Sequence, residues 1–169
     1  LLSLLIMQSF ADMHLHAPQF PNVGMGMDLP LLDWLKTYTF PVEAKFADLD
    51  YARRIYRRLA HDLIANAQRA CACFLAPHGR DARSDGGARK RGVTGFVGKV
   101  NMDRNGGENL EETTEESIRE TRRWLEAAAA SALSARSSRR ALPQPATDEL
   151  MTALANCHRA RNSCRPVAP

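Results

Sequence analysis

The residues best suited to chemistry lie early in the chain, in Asp12-Met13-His14-Leu15-His16-Ala17-Pro18-Gln19. Side chains of a strand alternate between faces, so His14 and His16 share one face while Leu15 turns into the packing. Two imidazoles side by side at a strand end can hold one borderline metal, zinc first among them. The spacing alone leaves open a pair of histidines with no metal. Other soft donors are scattered. Cys71-x-Cys73 reads more readily as two small buried or free thiols than as a metal site, and Cys157-His158 with Cys164 has the makings of an adventitious soft-metal site at most. His61 falls on a helix, as a structural or exposed side chain.

The elements that must position these residues follow from periodicity. Leu4-Leu5-Ile6 with Phe10 and Ala11 reads as the apolar approach of a buried strand. Pro18, Pro21, Gly24 and Gly26 then mark a loop. A short helix is predicted over Leu29–Leu35, with Pro30 in its first turn and Asp28 as cap, either packing or lining a pocket. Asp48 or Asp50 caps a longer helix to about Ala65. Its buried stripe is Leu49, Ala52, Ile55, Tyr56, Leu59, Leu63 and Ile64, and Arg53, Arg54, Arg57 and Arg58 form a solvated face. A poor strand is expected through Phe74 and Leu75, and a better one over Phe96–Val100. Thr113 and Glu116 form a capping box for a helix over Glu111–Leu125, with Ile118, Thr121 or Arg122, and Leu125 inward. A last helix runs from about Thr147 to Arg159, with Thr147 as cap and Leu150, Met151 and Leu154 apolar. Residues 77–92 and 127–146 lack a hydrophobic period and are expected to pack poorly.

Length and charge set the bounds. A chain of 169 residues has room for one ordinary domain, but a complete eight-stranded barrel typically needs about 250 residues. The net charge is +4, and residues 1–79 carry seven Lys/Arg and seven Asp/Glu, so the excess lies wholly in residues 80–169. An Arg-rich later half is compatible with a basic nucleic-acid-binding protein, yet no motif supports nucleic-acid or membrane partners. Leu1–Met7 is too short and lacks the basic flank of a signal peptide. Four cysteines without such a signal indicate free thiols and a reducing, cytoplasmic setting.

Longer blocks add a resemblance. After Asp12-x-His14-x-His16-Ala17-Pro18-Gln19-Phe20 come Met27-Asp28-Leu29-Pro30-Leu31-Leu32-Asp33-Trp34-Leu35 and Tyr38-Thr39-Phe40-Pro41-x-Glu43. Phe96-Val97-Gly98-Lys99-Val100 with Met102-Asp103 follows, then Glu112-Thr113-Thr114-Glu115-Glu116-Ser117-Ile118 with Glu120-Thr121. In order and near-spacing this resembles the guanine deaminases, zinc hydrolases of the amidohydrolase superfamily. The resemblance implies an α/β fold: a partial TIM-type (β/α)8 barrel of the metal-dependent amidohydrolase kind, truncated after about four βα units. Residues 1–169 would form one incomplete barrel domain, in which 1–66 and 95–126 match well, 67–94 and 127–146 are degenerate, and 161–169 match nothing. The resemblance further implies Zn²⁺ held in part by His14 and His16, and guanine met by His16, Ala17, Pro18 and Gln19. The Gln19 amide offers both a donor and an acceptor to the purine edge. The family acts in purine catabolism and typically forms homodimers.

The departures carry equal weight. Gln8-Ser9 stand where the family has Pro-Gly, and Asn66-Ala67-Gln68 where it reads Asn-Gly-Thr. Pro143-Gln144-Pro145 lies near the place of an Arg-Phe pair that should clamp the base, and Ser163-Cys164-Arg165 where a third histidine ligand is expected. His78 coincides with a family histidine by counting, but its neighbours do not match. Each interrupted block is rich in Ala, Arg, Ser, Gly and Pro, as base-rich codons read in another frame would give. The family's shuttle glutamate, next histidine and aspartate fall past residue 169, so no catalytic residue is present. The expectation is a guanine deaminase homologue too incomplete to be active. The alternative is a non-enzymatic fragment, inert or docking on an intact homologue.

Overall fold

The computed structural model describes residues 6–75, 92–107, 109–130 and 146–163. His78, Pro143, Gln144, Pro145, Cys164 and most of residues 77–92 and 127–146 lie outside the described residues. Three strands, β1 (Phe10–His16), β2 (Gln68–Leu75) and β3 (Thr94–Lys99), form a parallel sheet in the order β1-β2-β3. Strand order equal to chain order, with helices between and after the strands, is α/β architecture with its C-terminal strand ends gathered on one side.

β1 leads into a 3₁₀ turn, Ala17–Asn22. A nearly continuous helical run follows: α1 (Leu31–Trp34), a π turn (Leu35–Thr39), α2 (Phe40–Ala44) and a 3₁₀ turn (Lys45–Ala47). This corrects the expected helix over Leu29–Leu35. Pro30 is the cap rather than a first-turn residue, Asp28 does not cap, and the run continues beyond Leu35. Leu29, Leu31 and Leu32 are exposed, so the packing is done further on, by Thr39, Glu43 and Phe46. Tyr38 and Trp34 close over Gly26, where a Cβ would lie 2.4 Å from the Tyr38 ring.

α3 (Leu49–Ala65) begins as the sequence predicts. The Asp48 carboxylate accepts from the Asp50 and Tyr51 backbone N–H groups, satisfying two donors of the first turn. Ala52, Tyr56, Leu59 and Leu63 are buried with Phe46, Ala17, Leu75 and Val93 in the main core, and Ala60 is buried as well. Leu49 is exposed, contrary to expectation, and Ile55 and Ile64 are half-buried. The four arginines are exposed as expected.

β2 is a full eight-residue strand where a poor one was expected. Its small residues succeed because it is the central strand, paired with β1 and β3. Neighbour pairing overrides weak propensity. Gly95 of β3 passes so close that a Cβ there would lie 1.8 Å from the Cys71 carbonyl oxygen. β1 in turn is less buried than its apolar approach implied: Ile6 is 96% and Phe10 56% exposed. Among the described residues β1 has a partner strand on one side only.

α4 (Thr114–Ala130) carries the expected capping box. Glu116 Oε2 accepts from Thr113 N at 3.1 Å and Thr113 Oγ1 accepts from Glu116 N at 3.2 Å. Its inward positions are Ser117, Thr121, Trp124 and Leu125, with Arg122 outward. α5 (Asp148–Ser163) is capped by Thr147, whose Oγ1 accepts from Leu150 N, and buries Leu150 and Leu154. No helix among the described residues is long and apolar enough to cross a membrane.

The end of α3 generates a prediction. Ala67, the residue after the Asn66 cap, sits at φ +57°, a conformation usually given to glycine at a helix C-terminus. The left-handed region costs a non-glycine residue about 1–2 kcal/mol, offset by the ~0.4–1 kcal/mol that glycine loses to a freer unfolded chain. Ala67→Gly should therefore stabilise the fold by about 0.5–1 kcal/mol. A higher denaturant midpoint with an unchanged slope is the expected reading, and a lower midpoint contradicts it.

Candidate active site at the C-terminal strand ends

The pairing of β1 with β2 skips a residue between Asp12 and Leu15. This bulge frees the His14 backbone N–H from the ladder, and Asp12 Oδ1 accepts it at 3.0 Å. His14 and His16 end with their Nε2 atoms 3.1 Å apart. The Phe74 ring of β2 backs both imidazoles, at centroid distances of 5.2 and 5.0 Å. Sequence reasoning expected the convergence from plain alternation; the bulge and Phe74 escaped it. An aromatic directly after Cys71-Ala72-Cys73 was the signal available.

Zinc–imidazole bonds of about 2.0–2.1 Å at tetrahedral angles place two ligand nitrogens roughly 3.3 Å apart. The observed separation therefore fits two donors of one metal. Burial, with the neighbouring His14, pulls the His16 pKa down to about 4, so that its ring is neutral at pH 7. Neutral imidazole is the ligating form. Among the described residues no group of three or more His, Cys, Asp or Glu side chains gathers that could hold a metal. Cys71 and Cys73 lie in β2 against the main core as free thiols, and Cys157 packs against Trp124 and Leu125.

The 3₁₀ turn after His16 places the other candidates. Ala17 is 1% exposed and belongs to the main core, and Pro18 is fully buried. Gln19 is half-buried, and its Nε2 donates to Glu43 Oε1 at 3.0 Å. Glu43 is 5% exposed. Burial pushes its pKa up to about 7 against the opposing pull of the Gln19 hydrogen bond. Behind this pair lies the buried Asn22, whose Nδ2 reaches Thr39 Oγ1 at 3.5 Å. Glu43 stood in a matching sequence block with no role assigned. A carboxylate at helical spacing from Thr39 and Phe46 was the signal available.

A second polar centre, which no sequence motif announces, lies at the end of β3. Lys99 Nζ donates to Glu112 Oε2 at 2.6 Å, to Asn101 Oδ1 at 3.0 Å and to the Val100 carbonyl at 3.2 Å, with its side chain 3% exposed. Asn101 Oδ1 also accepts from Ser117 and Thr121, at 2.9 and 2.7 Å. Burial pushes the Lys99 pKa down and Glu112 pulls it back up. Asp103 then accepts from Thr114, at the start of α4, and from Thr147, at the start of α5.

Comparison with known proteins now decides the ancestry. No protein-family model matches the chain. The guanine deaminase of Dictyostelium discoideum is 38% identical over 161 residues, covering 89% of this chain and 34% of that protein. The guanine deaminase of Homo sapiens is 40% identical over 126 residues, covering 70% of this chain and 27% of that one. The chain is a guanine deaminase homologue. Solved structures agree. The guanine deaminase of C. acetobutylicum, determined with guanine bound in its active site, superposes with a TM-score of 0.81 at 35% identity, over 92% of this chain and 38% of that one. E. coli guanine deaminase superposes with a TM-score of 0.75 at 27% identity, over 93% and 36% of the two chains. This guanine deaminase homologue thus spans about a third of the length of the relatives it matches.

The buried ion pair under the homologue's β3 yields a prediction. Removing one partner of such a pair costs about 3–5 kcal/mol, because the other charge is left buried and unpaired. Lys99→Met should lose about that much stability, and adding Glu112→Leu to it should restore part of the loss. A double variant whose loss equals the sum of the two single-variant losses would show that the two side chains are not energetically coupled. A double-mutant cycle in denaturant reads both.

Proposed function

We propose that the chain is the strand-one-to-α5 part of a guanine deaminase barrel, carrying half of a zinc site and the segment that reads the purine. The convergence of His14 Nε2 and His16 Nε2 at 3.1 Å, on the same strand end as Gln19, carries this reading. His14 and His16 would hold the metal from one side, with Phe74 fixing their rings. Zinc, when bound in such a site, supplies activated water at neutral pH. His16, Ala17 and Pro18 shape the wall beside it, and the Gln19 amide meets the donor and acceptor groups along one edge of guanine. The work would be deamination of guanine to xanthine and ammonia in purine catabolism. Free thiols at Cys71, Cys73 and Cys157 suit the cytoplasmic setting proposed with it, and the homodimer is carried over from the family.

By itself the 169-residue chain would not be a competent deaminase. Two nitrogen donors leave a metal exchangeable, and a missing acid/base group removes a step worth about 10²–10⁴-fold. The second reading, a piece that docks on an intact homologue, is favoured by one observation. Among the described residues β1 and β3 each pair on one side only, although parallel sheets are ordinarily enclosed.

Incubating the purified chain with guanine and excess zinc, while following xanthine and bound metal, tests the reading. The expected result is exchangeable zinc that His16→Ala abolishes, with negligible xanthine. Zinc uptake indifferent to His16→Ala removes the metal assignment. Turnover at an ordinary enzymatic rate, lost in His16→Ala, overturns the incompleteness. In a chain completed with the rest of a guanine deaminase barrel, Gln19→Ala should depress guanine turnover far more than zinc content.

A further inference from the structure

Gln19 can present either end of its amide to a ligand, because oxygen and nitrogen are nearly the same size and differ only in accepting or donating. Something must choose between them. Glu43 is placed to do so: it reaches across from α2, 24 residues on, and takes Gln19 Nε2 at 3.0 Å in a site where its own side chain is almost wholly buried. An ionised carboxylate only accepts, so the amide nitrogen must turn toward it. The Gln19 oxygen and one remaining N–H are then left for whatever binds beside His16.

We infer that Glu43 is a positioning residue that fixes the polarity of the Gln19 amide, so that the site offers an acceptor to a ligand edge rich in N–H donors. This deepens the reading of Gln19 as the purine reader and rests on it. Guanine's ring N–H and exocyclic amino group form such a donor edge.

The surroundings leave the choice to Glu43 itself. The Ala17–Asn22 turn packed against α2 contains no titratable side chain. Of the adjoining turns, Leu35–Thr39 holds Lys36, which is exposed, and Tyr38, which is half-buried, while Lys45–Ala47 holds the exposed Lys45. Burial raises the Glu43 pKa to about 7. Below that value the carboxyl carries a proton and can donate to the Gln19 oxygen, which lets the amide turn over. Above it only the nitrogen-inward arrangement keeps a hydrogen bond. The fixed polarity therefore belongs to the alkaline side.

The test is a titration of the ¹⁵N-labelled full chain, following the Gln19 side-chain amide resonance from about pH 5 to about pH 9, with Gln19→Ala to identify the signal. The proposal expects a single transition with a midpoint near 7. Glu43→Gln should abolish the transition and Glu43→Asp should keep one at a displaced midpoint, which separates the effect from titration of an imidazole. If either variant fails to fold, the other and the parent still decide. A Gln19 resonance that stays flat in the folded parent, or that titrates unchanged in folded Glu43→Gln, overturns the proposal. Added guanine supplies the independent arm. It should shift the Gln19 signal more at the alkaline end than at the acid end. Guanine that leaves the signal unmoved at both ends, while the amide still titrates with Glu43, refutes the purine reading and leaves the Glu43–Gln19 pairing standing.

Discussion

The site depends on a single skipped residue in the β1–β2 ladder. A regular strand would carry the His14 N–H into a ladder hydrogen bond; here it is turned out and accepted by Asp12 instead. That exchange keeps the backbone satisfied at the bulge, and the two imidazoles meet on the same strand end. Phe74 completes the arrangement from the neighbouring strand, lying against both rings. Asp12 is therefore a structural partner of the site, although it is the first residue of the block that marks it.

The second organising feature is a polar layer beneath the β3 end. Lys99, Asn101 and Glu112 satisfy one another away from solvent, and Ser117 and Thr121 of α4 complete the acceptor side of Asn101. A buried ammonium is costly unless charge and hydrogen bonds meet it together. Both do so here, and the arrangement ties α4 to β3 in one geometry. Asp103 repeats the strategy at the helix N-termini, where a carboxylate is favoured. Burial raises its pKa, but hydrogen bonds from Thr147 and Thr114 outweigh burial and hold it below the usual carboxylate range.

Much of this was legible in the sequence where local chemistry decides the outcome. The Asp48 cap, the Thr113–Glu116 box, the Thr147 cap and the buried stripe of α3 each depend on residues within a few positions of one another. Their expected and observed forms agree, apart from the exposed Leu49 and the half-buried Ile55 and Ile64. The failures occur where distant neighbours decide. Residues 68–73 look too weak for a strand, yet as a central strand they are paired on both sides, and Gly95 makes the close approach possible. The helical run after Pro30 continues past its expected end at Leu35, and Thr39, Glu43 and Phe46 are buried in that extension. Of the site, His14, His16 and Gln19 were readable as donors. Glu43 and Phe74 were not, since their roles exist only across elements.

Strand order in this sheet has a consequence for how the chain emerges from a ribosome. β2 and β3 are each hydrogen-bonded to the strand made before them, and only β1 must wait, for β2. A parallel sheet is ordinarily slow to form because its pairings close long loops. Here α3 packs on Ala17 and Phe46 in the main core, so the segment that joins β1 to β2 is itself part of the packed structure. A strand order that follows the chain lets each later strand add to an edge already made, and among the described residues that edge is β3.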